Sequence, residues 1–208
     1  VFKDKVAAEV PVLTKLDKRL QETPVVAIEQ SRREVLRMGE VVGGMLVQLR
    51  EIIATDGQDR KEKINTLFSQ EVLLDRMQEE ITVFLTQLLS QGLISTLTRE
   101  AREQLRRSDE YESVSDYIVV ILKLNLRLEN ANLTLDKEEK QDILELHAAV
   151  QDYFKLVFEA HQNRNTNILI TARPRAEAIT HLFRRMRSRH LSKLSTAHVD
   201  PLICTLFP

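Results

Sequence analysis

Apolar residues recur along this chain at helical spacing, and they mark five long helices. The first pattern opens after Thr23-Pro24 and returns at Val35, Met38, Val42, Met45 and Leu49, one face of a helix running to about Thr55. Thr23 can cap it, and Pro24 is tolerated in a first turn because its missing N–H would be unpaired there anyway. Asp56-Gly57 is a stop signal. A second helix over about 59–91 carries Leu67, Leu74, Ile81, Leu85 and Leu88 and ends at Gln91-Gly92. A third spans 98–132, with Val114, Ile118, Ile121 and Leu128 as its predicted buried face. Thr134 or Asp136 caps a fourth, carried to about Arg164 by Ile143, Leu146, Val150, Phe154 and Val157/Phe158. The fifth begins at Ile168 or at Pro174 and reaches Leu194, with Ile179, Leu182, Phe183 and Met186 as its apolar set; Pro174 must kink it or start it.

The order of elements predicts an elongated all-α protein made of tandem three-helix bundles, the second truncated. Residues 1–23, interrupted by Pro11, read as a linker or docking arm; 24–133 form the first bundle; 134–208 hold two helices and, from Asp200-Pro201, the opening of a third. A helix of about 30 residues spans about 45 Å. Gly43-Gly44, in the middle of the first helix, reads as a place of close helix approach.

Composition narrows the picture. Five glycines and five prolines in 208 residues leave few breakers, which favours helix over sheet. A net charge of −1 argues against a general nucleic-acid binder, whose domain is usually basic. The single cysteine, Cys204, excludes an internal disulfide framework and a cysteine-based zinc site, and fits a reducing, cytoplasmic setting. No run approaches the roughly 18 apolar residues of a membrane span. The chain opens on Val1 rather than Met and reads as a piece of a longer protein.

The candidate chemistry is acidic. Glu112 and Asp116 are four apart, so their Cβ atoms lie about 5–6 Å from each other on one side of the third helix. Glu71 and Asp75 repeat the spacing at the margin of the second helix's stripe. If these two helices run antiparallel in register, four carboxylates meet, and they must protonate, spread apart or hold a cation. Oxygen-only ligation suits Mg, Ca, Mn or carboxylate-bridged iron.

Paired ExxxD motifs on the second and third helices of a three-helix repeat resemble the PhoU family of phosphate regulators. The stretch Leu16–Glu40, with Leu20-Gln21-Glu22-Thr23-Pro24 and Glu29-Gln30-Ser31-Arg32-Arg33-Glu34, resembles the junction after the membrane part of bacterial Na⁺/phosphate cotransporters that carry a C-terminal PhoU-like domain. The resemblance covers about residues 16–208. It implies tandem bundles, a divalent or iron-type metal held by Glu71, Asp75, Glu112 and Asp116, and no catalysis. It further implies a cytoplasmic domain of an inner-membrane protein. Such a domain acts on its own transmembrane transporter, through homodimerisation or by sensing metal or phosphate. Ser115 stands where the family has Gly, Val120 where it has Asn, and Arg173/Glu177 where a second-unit acidic pair would fall. Two alternatives are a free-standing PhoU-type adaptor and, from another class, a carboxylate-bridged metalloenzyme such as a di-iron oxidase. The latter normally adds Glu-x-x-His motifs, and none occurs on the helices carrying the acidic pairs.

Other groups read as structural. His147, His161, His181 and His190 are taken as surface residues. Arg184, Arg185, Arg187 and Arg189 form a basic cluster best read as a solvated face, with anionic lipid or phosphate as the other use. Cys204 has no activating neighbour in the sequence and reads as a buried structural thiol.

Overall fold

Every regular element among the described residues is an α-helix. The structure, a computed structural model, describes residues 23–55, 60–133 and 135–196. The helices are α1 (Pro24–Ala54), α2 (Arg60–Ser90), α3 (Ser95–Asn130), α4 (Lys137–Gln162) and α5 (Leu169–Thr196). At 1.5 Å per residue they are about 39 to 54 Å long. The linker over residues 1–22, the stop at Asp56-Gly57, the Thr134 cap, Cys204 and the helix opening at Asp200 lie outside the described residues, as does the side chain of Leu194. None of the five helices is long and apolar enough to cross a membrane.

α1, α2 and α3 pack on one another, α4 packs along α1, and α5 packs on α4. This is an all-α helical bundle: a three-helix core and a two-helix arm that share α1. Val35, Met38, Val42, Met45 and Leu49 of α1 are fully buried, as are Leu67, Leu74, Ile81, Leu85 and Leu88 of α2. Those stripes match the sequence pattern residue for residue.

The helix ends are built by local chemistry. Pro24 sits in the first turn of α1, but the Thr23 hydroxyl makes no capping bond; the Thr23 carbonyl takes the first N–H groups instead. Gly92 follows α2 with φ +79°, a left-handed conformation that glycine adopts without strain. α3 begins at Ser95, three residues earlier than predicted. It closes on Asn132 (φ +54°), with Leu133 N–H bonded to the Leu128 carbonyl and Asn132 N–H to that of Glu129. That is the paired bond pattern of a left-handed helix terminus. α4 opens on a capping box: Asp136 Oδ1 accepts from Glu139 N–H at 2.8 Å, and Glu139 Oε2 accepts from Asp136 N–H at 3.0 Å. Asp136→Ala is therefore expected to cost about 0.5–2 kcal/mol, read as a lower urea midpoint with an unchanged slope. α5 starts at Leu169, so Pro174 neither begins it nor ends it but lies inside.

Three expectations fail on packing. In α3, Ile118 and Leu128 are buried as predicted but Ile121 is 43% exposed, and the rest of the buried line runs through Ala101, Gln104, Ser108, Ser115, Val119 and Leu122. The true face is small and polar along its first half, so hydrophobicity alone did not mark it. Gln104 Nε2 donates to the Ile28 carbonyl at 3.1 Å, tying α3 to α1 through that face. In α4, Val150 and Val157 are exposed while His147 and Ala160 are buried. In α1, a Cβ on Gly44 would meet nothing within 4 Å and one on Gly43 would make an ordinary contact. The close approach is at Gly39, where a Cβ would stand 2.4 Å from Phe158 Cε2 and 2.9 Å from Tyr111 Cζ.

Candidate metal centre

The two ExxxD motifs occupy equivalent places on their helices. Leu74 is buried in α2 and Ser115 in α3. At about 100° per residue, each Glu lies about 60° and each Asp about 100° around the helix from that buried position. Both pairs therefore flank the α2–α3 seam. The buried line of α3 passes through Ser115, which sets Glu112 and Asp116 at its margin. Glu71, Asp75 and Glu112 are half-buried and Asp116 is exposed.

Asp75, Glu112 and Asp116 each place a carboxylate oxygen within 4.8 Å of the others. Glu71 stands outside this trio. It feels Asp75 and Asp116 on one side and Lys123, whose charge opposes theirs, on the other. Among the described residues none of the four carboxylates has an ion-pair partner. Asp75 Oδ1 is buried with no hydrogen bond, and Glu112 receives only a long one, 3.4 Å, from Ser113 Oγ. Ser115 turns its hydroxyl back to the Glu112 carbonyl at 2.8 Å, so it spends its donor on the helix and not on the acids.

Glu71, Asp75 and Glu112 resist ionisation. The Glu112 carboxyl is raised above the usual range by burial first, then by Asp116 and Asp75. Asp75 is raised by burial, then by Asp116 and Glu79. Glu71 is raised by burial, then by Asp75. Glu79 and Asp109, which the sequence reading passed over, extend the same acidic field. Their signal was available: Glu79 is Asp75 plus four and Asp109 is Glu112 minus three, the same helix faces. Asp109 is partly occupied, accepting from Gln78 Nε2 at 2.6 Å.

A cation would offset this repulsion. Three carboxylate oxygens within 4.8 Å of one another can be drawn onto one oxygen-ligated ion. An all-oxygen donor set favours hard cations over zinc or copper.

Three of the four histidines read as surface residues are not: His147 and His190 are 9% and 4% exposed, and His161 is half-buried against Tyr111, while His181 is exposed as expected. Arg185 and Arg189 are not a free basic face either. They reach across to α4, Arg185 to Glu145 at 3.9 Å and Arg189 to Glu138 at 3.2 Å and Asp142 at 3.4 Å. Arg173 and Glu177 pair with each other at 3.3 Å, so that position in α5 holds no acidic pair.

No protein-family model matches the chain, no curated protein matches it, and no solved structure matches it.

Proposed function

We propose that this chain is a regulatory helical module that holds a divalent or iron-type cation with Asp75, Glu112 and Asp116. In this reading it serves as the cytoplasmic PhoU-like domain of a Na⁺/phosphate cotransporter. The observation that carries the metal site is the convergence of three carboxylates from α2 and α3 within 4.8 Å, without a countercharge among the described residues and with Asp75 Oδ1 buried and unbonded. Retaining a repulsive cluster at a helix seam is costly unless something of opposite charge settles there. The transporter assignment is supported by the Leu16–Glu40 junction and the ExxxD pairs. A homodimer working on its own transmembrane domain is the form this regulation takes.

Elemental analysis tests the site. The wild-type chain is expected to carry about one metal per chain after exposure to Ca²⁺, Mn²⁺ or Fe²⁺ and desalting. Asp75→Ala and Glu112→Ala should both lose it, while Glu110→Ala, whose side chain pairs with Arg106 at 3.7 Å, should keep it. A wild type with no stoichiometric metal removes the site. The transporter reading is tested separately by the reading frame upstream of Val1. Hydrophobic spans there are expected, and their absence refutes it.

A further inference from the structure

A cleft among the described residues lies away from the carboxylates, between α1, α3 and the end of α4. It has a volume of about 760 Å³. α1, α3 and the turn after α4 bring Arg32, Arg99, Arg107 and Arg164 to its walls, against two acids, Glu100 and Glu103. The lining thus has a surplus of two positive charges. The cleft also has an apolar wall, formed by Val157, Ala160 and Ile168.

The arginines are positioned with some care. Arg32, on a side chain only 13% exposed, donates to the Gln162 carbonyl at 2.9 Å and so is fixed at the cleft's floor. Arg164 has φ +53°, the left-handed place after α4 that Gly or Asn usually fills. Asn163 and Asn165 stand on either side of it, so a cheaper residue was one position away. Arg164 is held there by Glu29 at 3.0 Å and Glu100 at 3.8 Å. Arg107 pairs with Glu103 at 3.3 Å and keeps the rest of its donor fork. Arg99 has no ion pair among the described residues. His161 adds a neutral donor. Its Nδ1 is 2.8 Å from the Tyr111 hydroxyl. When that hydroxyl donates, the ring proton sits on Nε2, which is buried and has no hydrogen-bond partner. His161 is held neutral, its pKa pushed down to about 4 by burial and then by Arg107 and Arg32.

The geometry points to this cleft as a binding site for a small organic phosphate, with the Arg99 and Arg107 guanidiniums gripping the phosphoryl group and the Val157–Ile168 wall covering the organic part. Planar guanidinium forks match phosphate oxygens two at a time, which a flexible ammonium does not. A ligand site of about 300–1,000 Å³ is the size for a nucleotide or sugar phosphate, whereas a bare phosphate ion leaves most of it unused. This site is independent of the metal proposal, since no residue is shared.

Isothermal titration of the 208-residue chain with ADP, glucose 6-phosphate and inorganic phosphate tests it, alongside co-sedimentation with phosphatidylglycerol vesicles. At least one of the two organic phosphates is expected to saturate below millimolar and to outbind inorganic phosphate. Arg99→Ala and Arg107→Ala should each weaken it by about tenfold or more, with unchanged circular dichroism. Arg173→Ala, on the exposed side of α5, should not. The His161 ring signals should shift on binding. Failure of both organic phosphates to bind overturns the proposal. Inorganic phosphate binding as tightly as they do overturns it too, since the apolar wall would then contribute nothing. So do equal losses in Arg173→Ala, or capture by vesicles that needs Arg99 without any binding of the free compounds.

Discussion

Gly39→Ala is expected to destabilise the fold by up to about 2 kcal/mol, while Gly44→Ala, five residues on in the same helix, stabilises it by up to about 1 kcal/mol. Both changes gain the roughly 1 kcal/mol helix preference of Ala over Gly. They differ in what the new methyl meets. At Gly44 nothing lies within 4 Å. At Gly39 two ring carbons of Phe158 stand at 2.4 and 2.7 Å, and Tyr111 at 2.9 Å. Those rings are not free to swing away. Phe158 stacks on Phe154 at 6.0 Å between centroids, and Tyr111 meets both edge-on. The whole cluster must shift, and overpacking of this kind costs about 1–3 kcal/mol. Because the cluster is the seam between α1, α3 and α4, the loss should be local. Amide exchange in α4 and α5 is expected to quicken more than in α2. Equal melting temperatures for the two variants would refute this account of the seam.

The second large effect concerns the carboxylates. In metal-free protein, Glu71, Asp75 and Glu112 have folded pKa values raised above their ordinary 4.5 and 3.8. Through the window above those ordinary values the folded state binds more protons than the unfolded one. Their contribution to stability is therefore greatest in acid and is lost as pH rises toward neutrality. Glu112→Gln, which keeps the shape and removes a charge, should raise the melting temperature of metal-free protein at pH 7 and flatten this slope. A bound cation reverses the sign, because it favours the ionised carboxylates. At a free concentration one hundred times the dissociation constant it adds about 2.7 kcal/mol. Wild-type protein should thus melt higher with Ca²⁺ or Mn²⁺ than with EDTA at pH 7, and lose that difference on acidification. Glu112→Gln should lose it at every pH. If melting is indifferent to cations, the carboxylates are only a solvated strip.

The helices were legible because their evidence is local. The stripes of α1 and α2 each face two other helices of the three-helix core, so large apolar residues at every third or fourth position are needed and visible. A cap at Thr134 or Asp136 was legible for the same reason, while the box that Asp136 makes with Glu139 came from the structure. α3 was legible as a helix, with Ile118 and Leu128 correctly buried, but the rest of its buried line was not. Its buried line uses Ala101, Ser108 and Ser115, where backbones come near and bulk is excluded, so a rule that follows bulk chose Ile121 instead. His147, His161 and His190 were misplaced because a neutral imidazole is half apolar; His161 buries one face on Tyr111, its ring centroid 6.0 Å away.

The amino-acid order by itself determined that this chain is helical, where each helix runs, and that two acidic pairs share one spacing. Those follow from periodicity and capping, which act over a few residues. Only the tertiary structure decided that Asp75 joins Glu112 and Asp116 while Glu71 stands aside, that Gly39 rather than Gly44 admits an aromatic ring, and that four arginines scattered from position 32 to position 164 line one cleft. Those depend on how neighbouring helices are rotated and how far each slides along the next. These are set by the fit of whole surfaces, which no short stretch of sequence contains.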